Sequence, residues 1–189
     1  REGDILKPAF KNATFWSNKE HWDWAVYPNE RERASFLKEN ILPIEESGQL
    51  KFVDCGSLAE GRAAEKNTQP VMANNEQLPT VNFDLPDIKI KIVSGHTESM
   101  MLPQIKYKDR TVVFMADLLP SQGHIPIPYV MGYDMFPLTT INEKRSFLKE
   151  GLEGDYILFF EHDPVYECCN LQQTPRGIRP KDFFKIADL

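Results

Sequence analysis

Residues 88–119 read IKIKIVSGHTESMMLPQIKYKDRTVVFMADLL, and the reading of this stretch decides the fold. It contains two strand-like runs, and each delivers a metal-capable side chain just past its C-terminal end. Residues 88–93 alternate Ile with Lys and run into Ser94-Gly95-His96-Thr97; residues 111–115 run into Ala116-Asp117-Leu118. Between them, residues 103–108 form a hairpin arm closed at Lys108-Asp109-Arg110. Alternation over five or six residues is the pattern of a half-buried strand. Imidazole and carboxylate both suit a borderline metal such as zinc, and rigid strand ends hold ligands better than free loops. A third run, Tyr156 to Phe160, ends in the same chemistry at Glu161-His162-Asp163.

Outward from this centre, the downstream segment 118–134 reads LLPSQGHIPIPYVMGYD, and its three prolines exclude a regular helix. A proline-stiffened loop directly after a ligand-bearing strand is placed to wall a pocket. His124, Tyr129, Tyr133 and Asp134 are its polar members. His124 is either a substrate contact or a loop histidine bonded to backbone; Tyr129 and Tyr133 are pocket wall or core. A helix follows, with Thr140 and Glu143 at capping-box spacing, an apolar side from Ile141, Phe147 and Leu148, and an end at Gly151 and Gly154. Residues 165–170 then read as a strand, Pro175-Arg176-Gly177 as a turn, and Phe183-Phe184 as an aromatic tail.

Upstream, residues 13–16 read as a short aromatic strand, and Ser17 or Asn18 can cap the amphipathic turn 19–25. A surface helix is expected over 29–40, ended by Pro43, followed by a strand over 50–54. From 61 to 87 the composition shifts to Asn, Gln, Glu, Pro and Ala, which reads as a long surface loop, either a bare excursion or a lid over the site.

With 189 residues, 41% hydrophobic content and a formal charge of -6, the chain has enough mass for one core and is read as a single domain over 1–189. The acidic balance argues against nucleic acid, because phosphate binding needs a concentrated basic face. No apolar run approaches the length of a membrane span. The partner that fits is a small molecule, with a homo-oligomer open. Three cysteines, Cys55 and the neighbours Cys168 and Cys169, make a poor disulfide framework. They read as reduced thiols in a cytoplasmic setting, one of the neighbouring pair packed and the other exposed.

Strands alternating with helices, and ligand candidates at strand ends, give an α/β layered domain. Ser94-Gly95-His96-Thr97, Phe114-Met115-Ala116-Asp117 and Phe159-Phe160-Glu161-His162-Asp163 resemble the later metal motifs of the metallo-β-lactamase superfamily, in their order. The gaps of 21 residues from His96 to Asp117 and 45 from Asp117 to His162 are similar to those of its lactonase-like members, as is Gly132-Tyr133-Asp134 before a helix. The resemblance implies a four-layer αβ/βα sandwich with a dinuclear zinc site. His96 would bind the first metal, Asp117 would bridge both and His162 would bind the second. It implies a hydrolase that uses a metal-bound hydroxide on a small ester, lactone or related substrate.

Two departures qualify this. The HxHxDH string that supplies the family's other ligands is absent from the 189 residues, and Glu98-Ser99-Met100 replaces the end of the usual GHTPGH form. The chain also begins at Arg1. It is therefore expected to be the later part of such a domain, inactive by itself. No residue is assigned a proton-transfer or nucleophilic role. The alternative is a catalytically silent half-domain that serves as a binding or assembly module.

Overall fold

Strand directions explain why three distant residues can meet. The computed structural model describes residues 6–55, 77–83, 85 and 87–189. The chain falls into two compact units, Arg1–Ala59 and Glu60–Leu189. The larger one holds a seven-stranded sheet of strands β3 (Thr80–Asn82), β4 (Ile88–Val93), β5 (Met100–Tyr107), β6 (Arg110–Phe114), β7 (Ile157–Phe159), β8 (Cys168–Thr174) and β9 (Gly177–Phe184), in that spatial order. All neighbours pair antiparallel except β6 and β7, which are parallel and joined through helix α3 (Pro137–Glu153). Because β5 is antiparallel to both β4 and β6, the C-terminal ends of β4, β6 and β7 lie on one edge of the sheet.

Helix α3 covers one face. Its buried residues are Thr139, Thr140, Glu143, Lys144, Phe147, Leu148 and Gly151, a stripe at helical spacing whose first half is polar. Phe147 and Leu148 join Val93, Leu102, Val113, Met115, Leu158, Cys169 and Leu171 in the main core. Each such side chain contributes about 1.5–3 kcal/mol by leaving water. A second cluster, Val112, Ile157 and Cys168 with Phe159 and Phe184 against it, lies on the opposite face.

Several expectations need correction. Cys168 and Cys169 do point to opposite faces, but both are fully buried, because each face carries an apolar cluster. Strand β4 is buried on both faces from Ile90 onward; Lys91 lies inside, bonded to Glu150 Oε1 at 2.9 Å and Thr80 Oγ1 at 3.0 Å. The expected loop over 61–87 contains β3, and Leu78 beside it is buried; the lid reading falls on 61–76, outside the described residues. Strand β9 replaces the aromatic tail. Helix α3 begins at Pro137, so Thr140 and Glu143 lie inside it and form no capping box. Among the described residues, no helix is long and apolar enough to cross a membrane.

The smaller unit pairs β1 (Phe15–Ser17) parallel with β2 (Leu50–Phe52). Helix α1 (Lys19–Val26) is capped by Asn18, whose side chain accepts from the His21 amide at 2.8 Å. The helix expected over 29–40 is displaced to α2 (Lys38–Glu46). Asn29 Oδ1 accepts from the Arg31 and Glu32 amides, while Glu32 accepts from Trp24 Nε1 at 2.7 Å and from Asn29 Nδ2 at 2.6 Å, which ties 29–32 into a turn. Pro43 lies within α2 instead of ending it.

Candidate metal centre

The turn after β6 is a 3-10 turn, Ala116–Leu118, and it begins on a strained residue: Ala116 has φ +41°. Non-glycine residues seldom adopt that conformation. It projects the Asp117 carboxylate between two imidazoles. His96 Nε2 lies 3.3 Å from Asp117 Oδ2, and His162 Nε2 lies 3.5 Å from Asp117 Oδ1. The structure thus brings together the three residues picked from sequence, one imidazole at each carboxylate oxygen. Two donors bound to one tetrahedral zinc at 2.0–2.2 Å stand about 3.3 Å apart. Both observed separations match that edge.

A metal also suits an unmet need here, since Asp117 Oδ1 is buried without a hydrogen-bond partner among the described residues. Such an atom is costly unless something positive approaches it. Each half of the site nevertheless offers two donors. Among the described residues, no group of three or more His, Cys, Asp or Glu side chains is arranged to hold a metal ion.

The far side of His96 is fixed as well. Its Nδ1 lies 2.9 Å from Oδ1 of Asp134, whose side chain is 1% exposed. A buried carboxylate at Nδ1 favours the proton there, leaving the Nε2 lone pair for Asp117's side of the ring. The loop that carries His96 is tied to α3. Glu143 accepts from the Ser94 amide at 2.6 Å and the Gly95 amide at 3.0 Å. Gly95 admits no side chain, because a Cβ there would stand 2.4 Å from Thr140 N. On the other flank, the His162 amide donates to Pro120 O at 3.0 Å, joining the His162 and Asp117 loops. Asp163 organises the same corner: burial raises its pKa, but amide donors at Tyr166, Gln122 and Val165 outweigh that and hold its carboxyl below the usual range.

The proline loop is held from beneath by Lys144. Its ammonium donates to Pro126 O at 3.0 Å, Ile127 O at 3.2 Å and Tyr129 O at 2.6 Å. Burial lowers its pKa to about 8, with Asp134 pulling the other way. His124 is half-buried with Nδ1 2.9 Å from Ser121 Oγ. Burial and then the charge of Lys144 push its pKa down, against smaller opposing effects of Asp134 and Asp117. Tyr129 and Tyr133 expose most of their surface, so neither is a core residue.

Glu143 and Lys144 are the participants that sequence reasoning did not place at the site, and Asp134, expected only as a polar member of the pocket-walling loop, is bonded to His96. Gly132-Tyr133-Asp134 before a helix was the available signal for Asp134. Nothing local signals the other two, since a Glu-Lys pair on a helix ordinarily reads as a solvated face.

No family model matches the chain, and no curated protein does. Solved structures do. A probable metal-dependent hydrolase from Staphylococcus aureus superposes with a TM-score of 0.71 at 20% identity, covering 95% of this chain and 54% of its own. The hydrolase AbOPH, of the beta lactamase superfamily, gives 0.67 at 15% identity, covering 95% and 60%. AidC, a dizinc quorum-quenching lactonase, gives 0.62 at 17%, covering 95% and 58%. At such identities the likeness establishes fold, and the chain spans little more than half the length of these structures. The fold is that of the metallo-β-lactamase superfamily.

Proposed function

We propose that this chain, on its metallo-β-lactamase fold, contributes His96, Asp117 and His162 to a dinuclear zinc centre of a hydrolase acting on a small ester, lactone or related substrate. The observation that carries the reading is the Asp117 carboxylate, with one oxygen toward each of two imidazoles. A carboxylate can span two cations, which an imidazole cannot. His96 would serve one metal through Nε2, Asp117 would bridge, and His162 would serve the other.

Bound metals would supply Lewis acidity toward a carbonyl and a water made acidic near neutral pH. This chain's own residues do the rest. Asp134 holds the Nδ1 proton of His96, and the 118–134 loop presents His124, Tyr129 and Tyr133 as candidate contacts to the substrate. Two donors per metal make weak zinc sites, so turnover is proposed only where the remaining ligands are supplied. The names of the neighbours, a metal-dependent hydrolase and a dizinc lactonase among them, support the reaction class.

Zinc titration of the 15N-labelled chain, followed at each histidine ring, tests this reading. The His96 and His162 signals should shift together at millimolar zinc, and Asp117→Asn should abolish both responses. Rings indifferent to zinc would refute the metal assignment. Zinc binding without hydrolysis of a lactone, ester and thioester panel, when further ligands are supplied, would favour the silent binding module.

A further inference from the structure

Two adjacent ionisable residues of α3, Glu143 and Lys144, are both fully buried, and both spend their side chains on main-chain groups of the loops around Asp117. We propose that they are positioning residues, a paired clamp in which Glu143 fixes the loop carrying His96 and Lys144 fixes the loop 126–129. For His96, the proposal rests on the metal-site reading above. Neighbours on a helix diverge by about 100° around its axis, so one short segment can hold two separate loops.

The chemistry of the two side chains fits the task. A carboxylate has two oxygens, and Glu143 gives one to each of two consecutive amides; an ammonium has three protons, and Lys144 has three carbonyl acceptors. Charge-assisted bonds in a dry interior are short, directional and hard to replace with water. Apolar side chains at 143 and 144 would avoid the cost of burying charge. Retaining both charges is explained by the geometry they impose. The Glu143 seam is extended by Phe136 N donating to Gly95 O at 2.8 Å and Met135 N donating to His96 O at 3.1 Å, and by the close seat of Gly95 on Thr140.

Amide hydrogen exchange on the full, zinc-free chain reads the clamp directly. In the wild type, Ser94 and Gly95 should exchange as slowly as the buried amides of β4. Glu143→Gln keeps one acceptor oxygen and loses the charge, so exchange at this pair should rise by about tenfold, the equivalent of one lost 1.4 kcal/mol interaction. Lys144→Met should instead loosen the Tyr129 amide, which donates to Pro126 O, and leave Ser94 and Gly95 within about twofold. Equal loosening of both loops by either variant, or of neither, would overturn the proposal. If a variant fails to fold, fast exchange of Ser94 and Gly95 in the wild type overturns it by itself.

A second arm adds zinc. Glu143→Gln should weaken the response of the His96 ring by about tenfold or more and leave that of His162 within about twofold. A uniform loss at both rings would mark a general structural defect and count against positioning. A wild type with no ring response to zinc would sink the metal reading, while the exchange arm would still decide the clamp.

Discussion

Replacing Asp134 by Asn should separate the stability of the fold from the quality of the site. Asp134 Oδ1 lies 2.9 Å from His96 Nδ1, and the side chain is almost wholly buried. An outer carboxylate of this type orients a ligating imidazole and raises its basicity, and its loss costs about 10–100-fold in metal affinity, or about 1.4–2.8 kcal/mol. The amide that replaces it can also turn its NH2 toward Nδ1, which would favour the tautomer with the proton on Nε2, facing Asp117. Stability has two opposing contributions. Asp134 Oδ2 is buried without a hydrogen-bond partner among the described residues, so removing the charge relieves about 1–3 kcal/mol; attraction to the Lys144 ammonium is lost, on the order of 1 kcal/mol at an effective dielectric near 20. The net change in unfolding free energy should stay within about 2 kcal/mol of zero. Urea unfolding gives the stability, and zinc titration followed at the two rings gives the site. An unchanged His96 response in a folded Asp134→Asn chain would refute the orienting role, as would an equal loss at His162.

Other consequences follow from the same geometry. Lys144 has its pKa lowered to about 8 when folded, against 10.5 for an ordinary lysine, so above pH 8 the folded state sheds this proton first and stability rises. The rise should reach about 1.4 kcal/mol per pH unit at most; because the unfolded cysteines begin to ionise in the same range, it is read as a difference, the wild-type urea midpoint climbing between pH 8 and 9 relative to that of Lys144→Met. Burial pushes Cys168 and Cys169 up to about 11 and about 12, so above pH 9 the unfolded state loses these protons first and stability falls. At neutral pH both should resist a thiol reagent in the folded chain and react once denatured, a contrast read by absorbance. Gly95→Ala would drive a methyl to 2.4 Å from Thr140 N; the forced retreat of the loop should cost about 1–3 kcal/mol in thermal or urea unfolding. Dialysis against a mild chelator should leave the chain with less than two equivalents of zinc by elemental analysis, since each metal would have two protein donors here.

The sequence by itself determined what short-range pattern can encode. Alternation in 88–93, the turn at Lys108-Asp109-Arg110 and the apolar run at 156–160 located β4, the β5–β6 hairpin and β7. Three metal-capable residues at strand ends marked the side chains that the sheet brings together, and their order and spacing pointed to the fold. Where a helix begins, and what its polar residues face, was settled by partners distant in the chain. Pro137 supplies the start of α3, while Glu143, which read as part of a capping box, and Lys144 beside it are drawn inside because backbone groups of two loops need their lone pairs and protons. Strands β3 and β9 escaped because their neighbours in the sheet stabilise them more than their own composition does. Cys168 and Cys169 could be assigned to opposite faces from the pleat alone, but not to two buried faces. The meeting of His96, Asp117 and His162 at one carboxylate depended on β5 reversing the chain between β4 and β6 and on α3 returning it parallel at β7. Pairing direction is a property of the whole sheet, so it could not be read from any one segment.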